Sequence, residues 1–387
     1  MAGSPRVLVL VYSHLERDAR VLRQVSWLSR HFDVTSAAFG LSPISDVEHI
    51  ELEDLPPYRG RLMGRIVYAG LFVLGLFGVL VAMNPRDRAA AKRLADHDWD
   101  VIIANDASAI PLAVRLAPGS SIIVDLHEYS TRQGEESIEF RLTTARYFRW
   151  LFKQYLPKVA AVTTVSQGIA DEYRREFKVR PVVVANAAAF EDRKPSTVGS
   201  TIRVVHSAAP SPTRRVEVMI EAVRDTVANV SLDLFLVDDG SGYLQRLRHL
   251  AADVERVRIH DAVPSSDLIR TLADYDVGVH LLPPINFNHL WALPNKLFDF
   301  VQARLGIIVG PSPEMARIVR DHGLGAVTDD FTSVALTRLL DQLDPSTVAR
   351  WKESTHEAAR HLSGESQMET FERMVRDVLV NLGRGAD

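Results

Sequence analysis

Leu293-Pro-Asn295-Lys296-Leu297-Phe-Asp299 opens a helix with a lysine in its first turn. A cation there opposes the helix macrodipole, whose positive end lies at the N-terminus. An anionic ligand removes the conflict, and Asn295 and Leu297 join Lys296 as candidate ligand-binding positions on that turn. Asp299 can accept two hydroxyl hydrogen bonds, as a ribose diol offers. Dipole compensation accounts for Asp299 on its own but leaves Lys296 unexplained. A second stretch, Val204-Val-His206-Ser-Ala-Ala-Pro-Ser-Pro-Thr-Arg214-Arg215, reads as a strand, a loop of small residues and the start of a helix. Small residues let backbone N–H groups approach an anion, and an arginine there grips a phosphate. A solvated arginine pair is the competing reading.

Asp125-Leu-His127-Glu128 follows an apolar run and carries a histidine and a carboxylate at a strand end. That pair suits hydrogen bonding to a polar ligand or proton handling near neutral pH; a satisfied structural histidine is the alternative. Val237-Asp238-Asp239-Gly-Ser-Gly242 reads as a glycine-rich turn after a strand, because two adjacent aspartates without further ligands make a weak metal site. The turn after the first strand, Tyr12-Ser-His14-Leu-Glu-Arg-Asp18-Ala-Arg20, holds no GxGxxG. Walker A, HExxH and GxSxG motifs are absent as well.

These stretches sit in a regular alternation. Strands are expected at Val7–Tyr12, Val34–Phe39, Val101–Ala104, Ser121–Asp125, Ala160–Val165, Pro181–Ala185, Thr201–His206, Leu232–Val237, Val257–His260, Val277–Leu282 and Gly306–Val309. Helical periodicity falls between them at Ala19–Ser29, Ser166–Phe177, Val216–Val227, Gly242–Val254, Ser265–Ala273, Lys296–Ala303 and Ser312–His322. Continuous apolar strands alternating with helices predict parallel sheets covered on both faces, and the pattern runs twice. The polar stretch Ala187–Ser200 reads as the linker between the runs. The expectation is an α/β protein of two doubly wound, Rossmann-like domains facing across a cleft, with ligands beyond the carboxyl ends of the strands. The expected domains are residues 1–188 and 201–364, with a final helix over 365–387.

Composition narrows the function. The 387 residues carry 45 basic and 49 acidic side chains, a net charge of −4 that argues against a general nucleic-acid binder. With no cysteine, disulfides, thiolate metal sites and cysteine nucleophiles are excluded. Met1–Pro5 and the short apolar run after it do not form a signal peptide. Ile66–Met83 is eighteen residues without a charge, just long enough to cross a hydrocarbon core. A span would put the first strand and its sheet partners on opposite sides of the bilayer. Both flanks are also basic (Arg59, Arg61 and Arg65 before; Arg86, Arg88, Lys92 and Arg93 after), so both read as cytoplasmic. Two readings remain: a membrane-facing helix, or one buried in the domain or in an oligomer interface. Ile138–Lys158 interleaves Phe140, Tyr147, Phe148, Trp150, Phe152 and Tyr155 with Arg141, Arg146, Arg149, Lys153 and Lys158. This composition tips the balance to peripheral contact with an anionic membrane, at the inner face of the plasma membrane.

The ordered series Arg17-Asp-Ala-Arg-Val-Leu-Arg, Asn105-Asp106, Asp125-Leu-His-Glu128, Val165-Ser-Gln-Gly-Ile-Ala, Val184-Ala-Asn186, the Arg214 loop, Tyr275-Asp-Val-Gly-Val, Ala292-Leu-Pro-Asn-Lys-Leu-Phe-Asp299 and Ser312-Pro-Glu-Met runs nearly the full length. The chain resembles the GT-B fold glycosyltransferases of the broad, retaining family 4 group. That resemblance implies two nucleotide-binding-like domains, a nucleoside diphosphate sugar held by the C-terminal one, no metal or other cofactor, and a final helix crossing back to the N-terminal domain. It implies that His127 contacts the donor sugar, that Arg214 and Lys296 bind the diphosphate, with Arg215 a substitute for Arg214, and that Asp299 holds the ribose. Asn295, Leu297 and His206 complete the implied donor set. The His14–Arg20 loop, including Asp18, would face the donor phosphate and acceptor, with Glu128 and Asp106 on the acceptor side. Two positions depart from the pattern: Trp291 stands where many members have a second glutamate, and Ser13-His14 replaces a glycine-rich loop.

The resulting expectation is metal-independent transfer of a sugar from a nucleoside diphosphate sugar to a glycan or lipid-linked acceptor, with retention. The alternatives are an inactive GT-B scaffold and a sugar-nucleotide epimerase.

Overall fold

The computed structural model describes residues 4–56, 58 and 62–384. Met1–Gly3, Arg59 and Arg61, which entered the readings above, lie outside the described residues. The chain divides into two compact units. One takes in the chain up to Ala185, Asn286–Asn288 and the chain from Met368 onward; the other takes in Asn186–Ile285 and His289–Gln367.

The first unit is built on a seven-stranded sheet: β1 (Arg6–His14), β2 (Asp33–Phe39), β3 (Glu48–Leu52), β4 (Val101–Asn105), β5 (Ile122–Leu126), β6 (Ala161–Thr164) and β7 (Val182–Val183). The second carries six strands: β8 (Ile202–Ala208), β9 (Val230–Leu236), β10 (Val257–Asp261), β11 (Val277–His280), β12 (Gly306–Val309) and β13 (Gly325–Val327). The strand orders are β3-β2-β1-β4-β5-β6-β7 and β10-β9-β8-β11-β12-β13, and every pairing is parallel. Each order reverses once, between β1 and β4 and between β8 and β11. That is the doubly wound, Rossmann-like arrangement, and its switch point is where open α/β sheets bind ligands.

The cores follow from the apolar strands. Val7, Val9 and Val11 of β1 are buried with Val21, Val25 and Leu28 of the helix Ala19–Leu28 and with Phe371, Val375 and Leu379 of the final helix, Gly364–Asn381. Val204, Leu232, Leu234, Val277 and Val279 form the second core with helices Glu217–Asp225 and Tyr243–Ala251. The polar stretch after Asn186 is fastened to its own unit. Gln302 accepts from the Glu191 N–H at 3.1 Å, and the Arg304 guanidinium donates to the Glu191 carbonyl.

Several boundaries differ from expectation for local reasons. Pro181–Ala185 shrinks to Val182–Val183; its start moves in because Pro181 has no N–H to donate. The helix expected to reach Val227 stops at Asp225, because Asp341 takes the Val227 N–H at 3.0 Å and the Thr226 hydroxyl. The edge strands β3 and β13 carry no continuous apolar run and escaped notice.

The apolar segment is broken. Helices Leu62–Val73 and Phe77–Met83 are separated at Gly75, whose φ of +71° suits glycine. At ~1.5 Å per residue the longer spans about 18 Å, and no helix among the described residues is long and apolar enough to cross a membrane. Nor is the segment buried in its unit. Only Phe77 and Leu80 are, while Leu62, Met63, Ile66, Val67, Val73, Leu74, Leu76, Val79 and Met83 are exposed. The helix Thr144–Tyr155 carries it: Phe72 and Phe77 pack on Tyr147 (5.8 and 5.5 Å between rings), and Phe77 packs on Trp150. The aromatic residues read above as membrane-facing are therefore divided. Tyr147 and Trp150 support the apolar helices, Phe152 is buried, and Ile138 and Leu142 are the large exposed apolar side chains of that stretch.

Candidate active site

In the first unit the polar residues gather at the carboxyl ends of β4, β5 and β6. Asp125, fully buried on β5, is the hub. Arg20 reaches it from the helix Ala19–Leu28 in a two-pronged pair at 2.7 and 2.8 Å, and Gln24 and Thr163 donate to it at 2.5 and 2.6 Å. Burial pushes the Asp125 carboxyl up, but Arg20 and His127 together hold it well below the usual carboxylate range. His127 lies two residues on, its Nε2 3.4 Å from Asp125 and its Nδ1 3.4 Å from Asp106. Burial favours the neutral ring; Asp125, and after it Asp106, outweigh that and raise the imidazole's pKa. Near neutral pH this imidazole can hold or pass a proton.

Asp106 is half open to solvent and has φ 65° and ψ 160°. A non-glycine residue in that region costs on the order of 1–3 kcal/mol and is characteristic of functional sites. Its N–H is tied to the Asp125 carbonyl at 2.9 Å. Beside it Asn105 is fully buried, with neither amide atom hydrogen-bonded among the described residues. Left unpaired, such a group costs about 1–3 kcal/mol.

The rest of the expected acceptor-side set behaves differently. Arg20 is 4% exposed and spends its guanidinium on Asp125 and on the Val184 carbonyl at 2.9 Å. It faces inward and acts on the site by positioning Asp125. Asp18 caps the helix Ala19–Leu28, accepting from Val21 N at 3.1 Å and from the Ser13 hydroxyl at 2.8 Å. His14 is exposed at the end of β1, edge-on to Phe39, and Glu128 is exposed.

In the second unit the candidates gather around the β8/β11 switch point. A cavity of about 170 Å³ is walled by Ser207, Ala208 and Ala209 after β8, Phe235 and Val237 after β9, and Ala262, Val263 and Leu268 after β10. Lys296 and Asp299 of the helix Asn295–Gln302 close it. An aromatic and aliphatic wall beside one carboxylate and one ammonium suits a nucleoside with an attached anion. Burial lowers the Lys296 pKa, the nearby Arg214 lowers it further, and Asp299 offsets only part of this. Arg214 ends the turn Pro212–Arg214 and donates to the Ala209 carbonyl at 3.1 Å, so the two cations are held near each other by the fold. Arg215 takes a left-handed φ of 48° and points to Glu217 at 3.8 Å.

Three of the expected donor residues contribute less directly. Leu297 is 1% exposed: its side chain is core, and its N–H goes to the Pro294 carbonyl at 3.1 Å. Asn295 is exposed on the first helical turn. His206 is buried with its Nδ1 on the Val279 carbonyl at 2.8 Å, and its ring stacks on His280 at 5.5 Å. Burial, then Lys296, drives the His206 pKa down to about 3, so the ring stays neutral. His280, not singled out in the sequence, is buried with both ring nitrogens unpartnered among the described residues. Asp238 and Asp239 accept from Gly240 N and Ser241 N, at 3.0 and 2.9 Å, and shape their own turn.

Residues 18–187 match the family described as glycosyl transferase 4-like domain. No curated protein matches the chain. Among solved structures the chain is similar to WaaG, a glycosyltransferase involved in lipopolysaccharide biosynthesis (13% identity, TM-score 0.65, covering 95% of this chain and 99% of that one). It is similar to HepE of Anabaena, solved with UDP-glucose (14%, 0.68, 96% and 99%). A third is sucrose-phosphate synthase from Thermosynechococcus elongatus (11%, 0.73, 97% and 100%). The chain has the GT-B fold of two Rossmann-like domains, and its N-terminal half carries a glycosyltransferase-family domain.

Proposed function

We propose that the protein transfers a sugar from a nucleoside diphosphate sugar to a glycan or lipid-linked acceptor, with retention and without a metal. The observation that carries this reading is Lys296 in the wall of the Phe235–Asp299 cavity, with Arg214 fastened to the lining residue Ala209: two cations gathered next to a wall suited to a nucleoside. In the transfer the bond from the anomeric carbon to the diphosphate oxygen breaks, a bond to an acceptor hydroxyl oxygen forms, and that hydroxyl's proton is released. Negative charge grows on the departing diphosphate, and cations already fixed in a low-dielectric site lower the barrier without reorganising. Lys296 and Arg214 supply that charge; Asp299 takes the ribose hydroxyls. His127, held between Asp125 and Asp106, contacts the transferred sugar, with Asp106 and Glu128 on the acceptor side. The complex of HepE with UDP-glucose supports a nucleotide-sugar donor. The exposed apolar helices Leu62–Val73 and Phe77–Met83 support peripheral attachment to an anionic membrane, at the inner face of the plasma membrane.

A thermal-shift screen with UDP-, GDP- and dTDP-sugars tests the donor assignment. A ligand that binds the native state raises its Tm, and at least one of the three series is expected to do so. No shift with any of them contradicts the assignment.

A further inference from the structure

The first unit contains a cavity that the reading above does not use. It measures about 180 Å³ and is lined by Tyr12, Tyr68, Tyr147, Phe148, Asp87 and Ser108, with Leu80 and Val81 on one side. Tyr12 stands near the end of β1 and Ser108 just after β4, so the cavity opens at the switch point of the first sheet, where doubly wound folds bind their ligands. At ~30 Å³ per water it holds about six waters, the scale of one sugar ring and well below a drug-sized pocket.

The chemistry of the walls is specific. Three tyrosines and a phenylalanine give flat apolar faces, with hydroxyls on the tyrosine rims. Asp87, 1% exposed, accepts from the Tyr12 hydroxyl at 2.6 Å. Arg86 also lines the cavity but is engaged elsewhere: its Nε donates to the Leu55 carbonyl at 2.9 Å, a terminal nitrogen pairs with Asp54 at 3.0 Å, and the guanidinium lies over the Tyr12 ring. With the lining Arg86 spent in this way and a buried carboxyl in the wall, the cavity favours a neutral ligand over an anionic one. A neutral ring with one apolar face and a rim of hydroxyls satisfies all of these groups. The helix Phe77–Met83 links the cavity to the surface, because Leu80 and Val81 line it while Val79 and Met83 of the same helix are exposed beside Leu74 and Leu76.

We propose that this cavity is the sugar subsite for an amphiphilic acceptor, holding a neutral monosaccharide ring among Tyr12, Tyr147 and Asp87 while the acceptor's hydrocarbon part stays on the exposed face of Leu62–Met83. The proposal rests on the transferase reading and narrows its acceptor to a sugar carried on an apolar chain.

The probe is a panel of octyl β-glycosides (glucose, galactose, mannose and N-acetylglucosamine) below their micellar concentrations, observed by saturation-transfer NMR on the full chain. At least one glycoside should receive saturation on its ring protons. Val81→Trp, which fills the cavity, should reduce that ring signal at least fivefold. Asp87→Asn, which keeps the volume, should weaken binding about tenfold, with each variant's fold checked by its melting curve. No ring saturation with any glycoside, saturation confined to the alkyl chain, or an unchanged ring signal in Val81→Trp overturns the proposal. Nucleotide binding is measured on the same samples. Its presence without a glycoside signal removes only this subsite, whereas its absence removes the donor assignment.

Discussion

The two units handle buried charge in opposite ways. In the first, the central carboxylate meets its counterparts on folding: Asp125 has Arg20, Gln24, Thr163 and His127 around it. In the second, Lys296 is held where burial and then the nearby Arg214 disfavour its charge, and the buried pair His206 and His280 stays neutral beside it. The first arrangement neutralises its buried carboxylate as folded and holds an imidazole in place. The second is paid for by the rest of the fold, and the anion of the proposed donor would relieve it. One polypeptide thus carries a charge-paired frame and, on the proposed reading, a receptor awaiting its anion on the same type of sheet.

The largest effect that would break this contrast is expected at Asp125. Asp125→Ala leaves Arg20 buried and unpaired, and breaking such a pair costs about 3–5 kcal/mol; urea unfolding should show it. At Lys296 the same kind of change should behave the other way. Lys296→Ala should leave the stability of the ligand-free protein unchanged or raised, while transfer falls by about 10²–10³, the usual effect of removing a group that stabilises developing negative charge. A turnover assay beside a melting curve separates the two. If Lys296→Ala unfolds the protein while Asp125→Ala does not, the contrast is lost.

Acidity sharpens it further. His127 has a raised pKa, so its stabilising contribution is full below the unfolded value of about 6.5 and fades as pH rises through the higher folded value. His206, held down to about 3, contributes fully above about 6.5 and loses that contribution as pH falls. Between about pH 8 and pH 5, then, the destabilisation caused by His127→Asn should grow on acidification, and that caused by His206→Leu should shrink. Chemical denaturation of both variants across that range checks the opposite slopes.

The smallest effect is expected at Arg215. Its half-exposed pair with Glu217 should contribute about 0–1 kcal/mol. Arg215→Ala should melt like wild type and bind nucleotide like wild type, unlike Arg214→Ala. Weakened nucleotide affinity in Arg215→Ala would transfer the phosphate role to it.

Much of this was legible before the fold was known, and the residues show why. Continuous apolar runs such as Val7–Val11 and Ile307–Val309 mark buried parallel strands, and the conflict between Lys296 and its helix dipole is visible in seven residues. The hub at Asp125 was not legible. Its partners Arg20, Gln24 and Thr163 lie 105, 101 and 38 positions away, so nothing local distinguishes it from its neighbours. The same distance hid the inward turn of Arg20. The cavity wall of Phe235, Val237, Ala262 and Val263 is assembled from the ends of two strands and carries no motif. Ile66–Met83 misleads in a different way: hydropathy averages over Gly75, and the left-handed turn there makes two short exposed helices of it.

Titration calorimetry of UDP, GDP and dTDP against wild type and Lys296→Met, at alkaline pH in two buffers of different ionisation enthalpy, tests the proposed receptor most directly. Because Lys296 is held below its ordinary pKa, a diphosphate that settles beside it should draw a proton from the buffer. Wild type is expected to bind one of the nucleotides with proton uptake, and Lys296→Met to bind it more weakly with no uptake. Equal affinity and equal proton uptake in both proteins, or no binding of any nucleotide to wild type, would contradict the account.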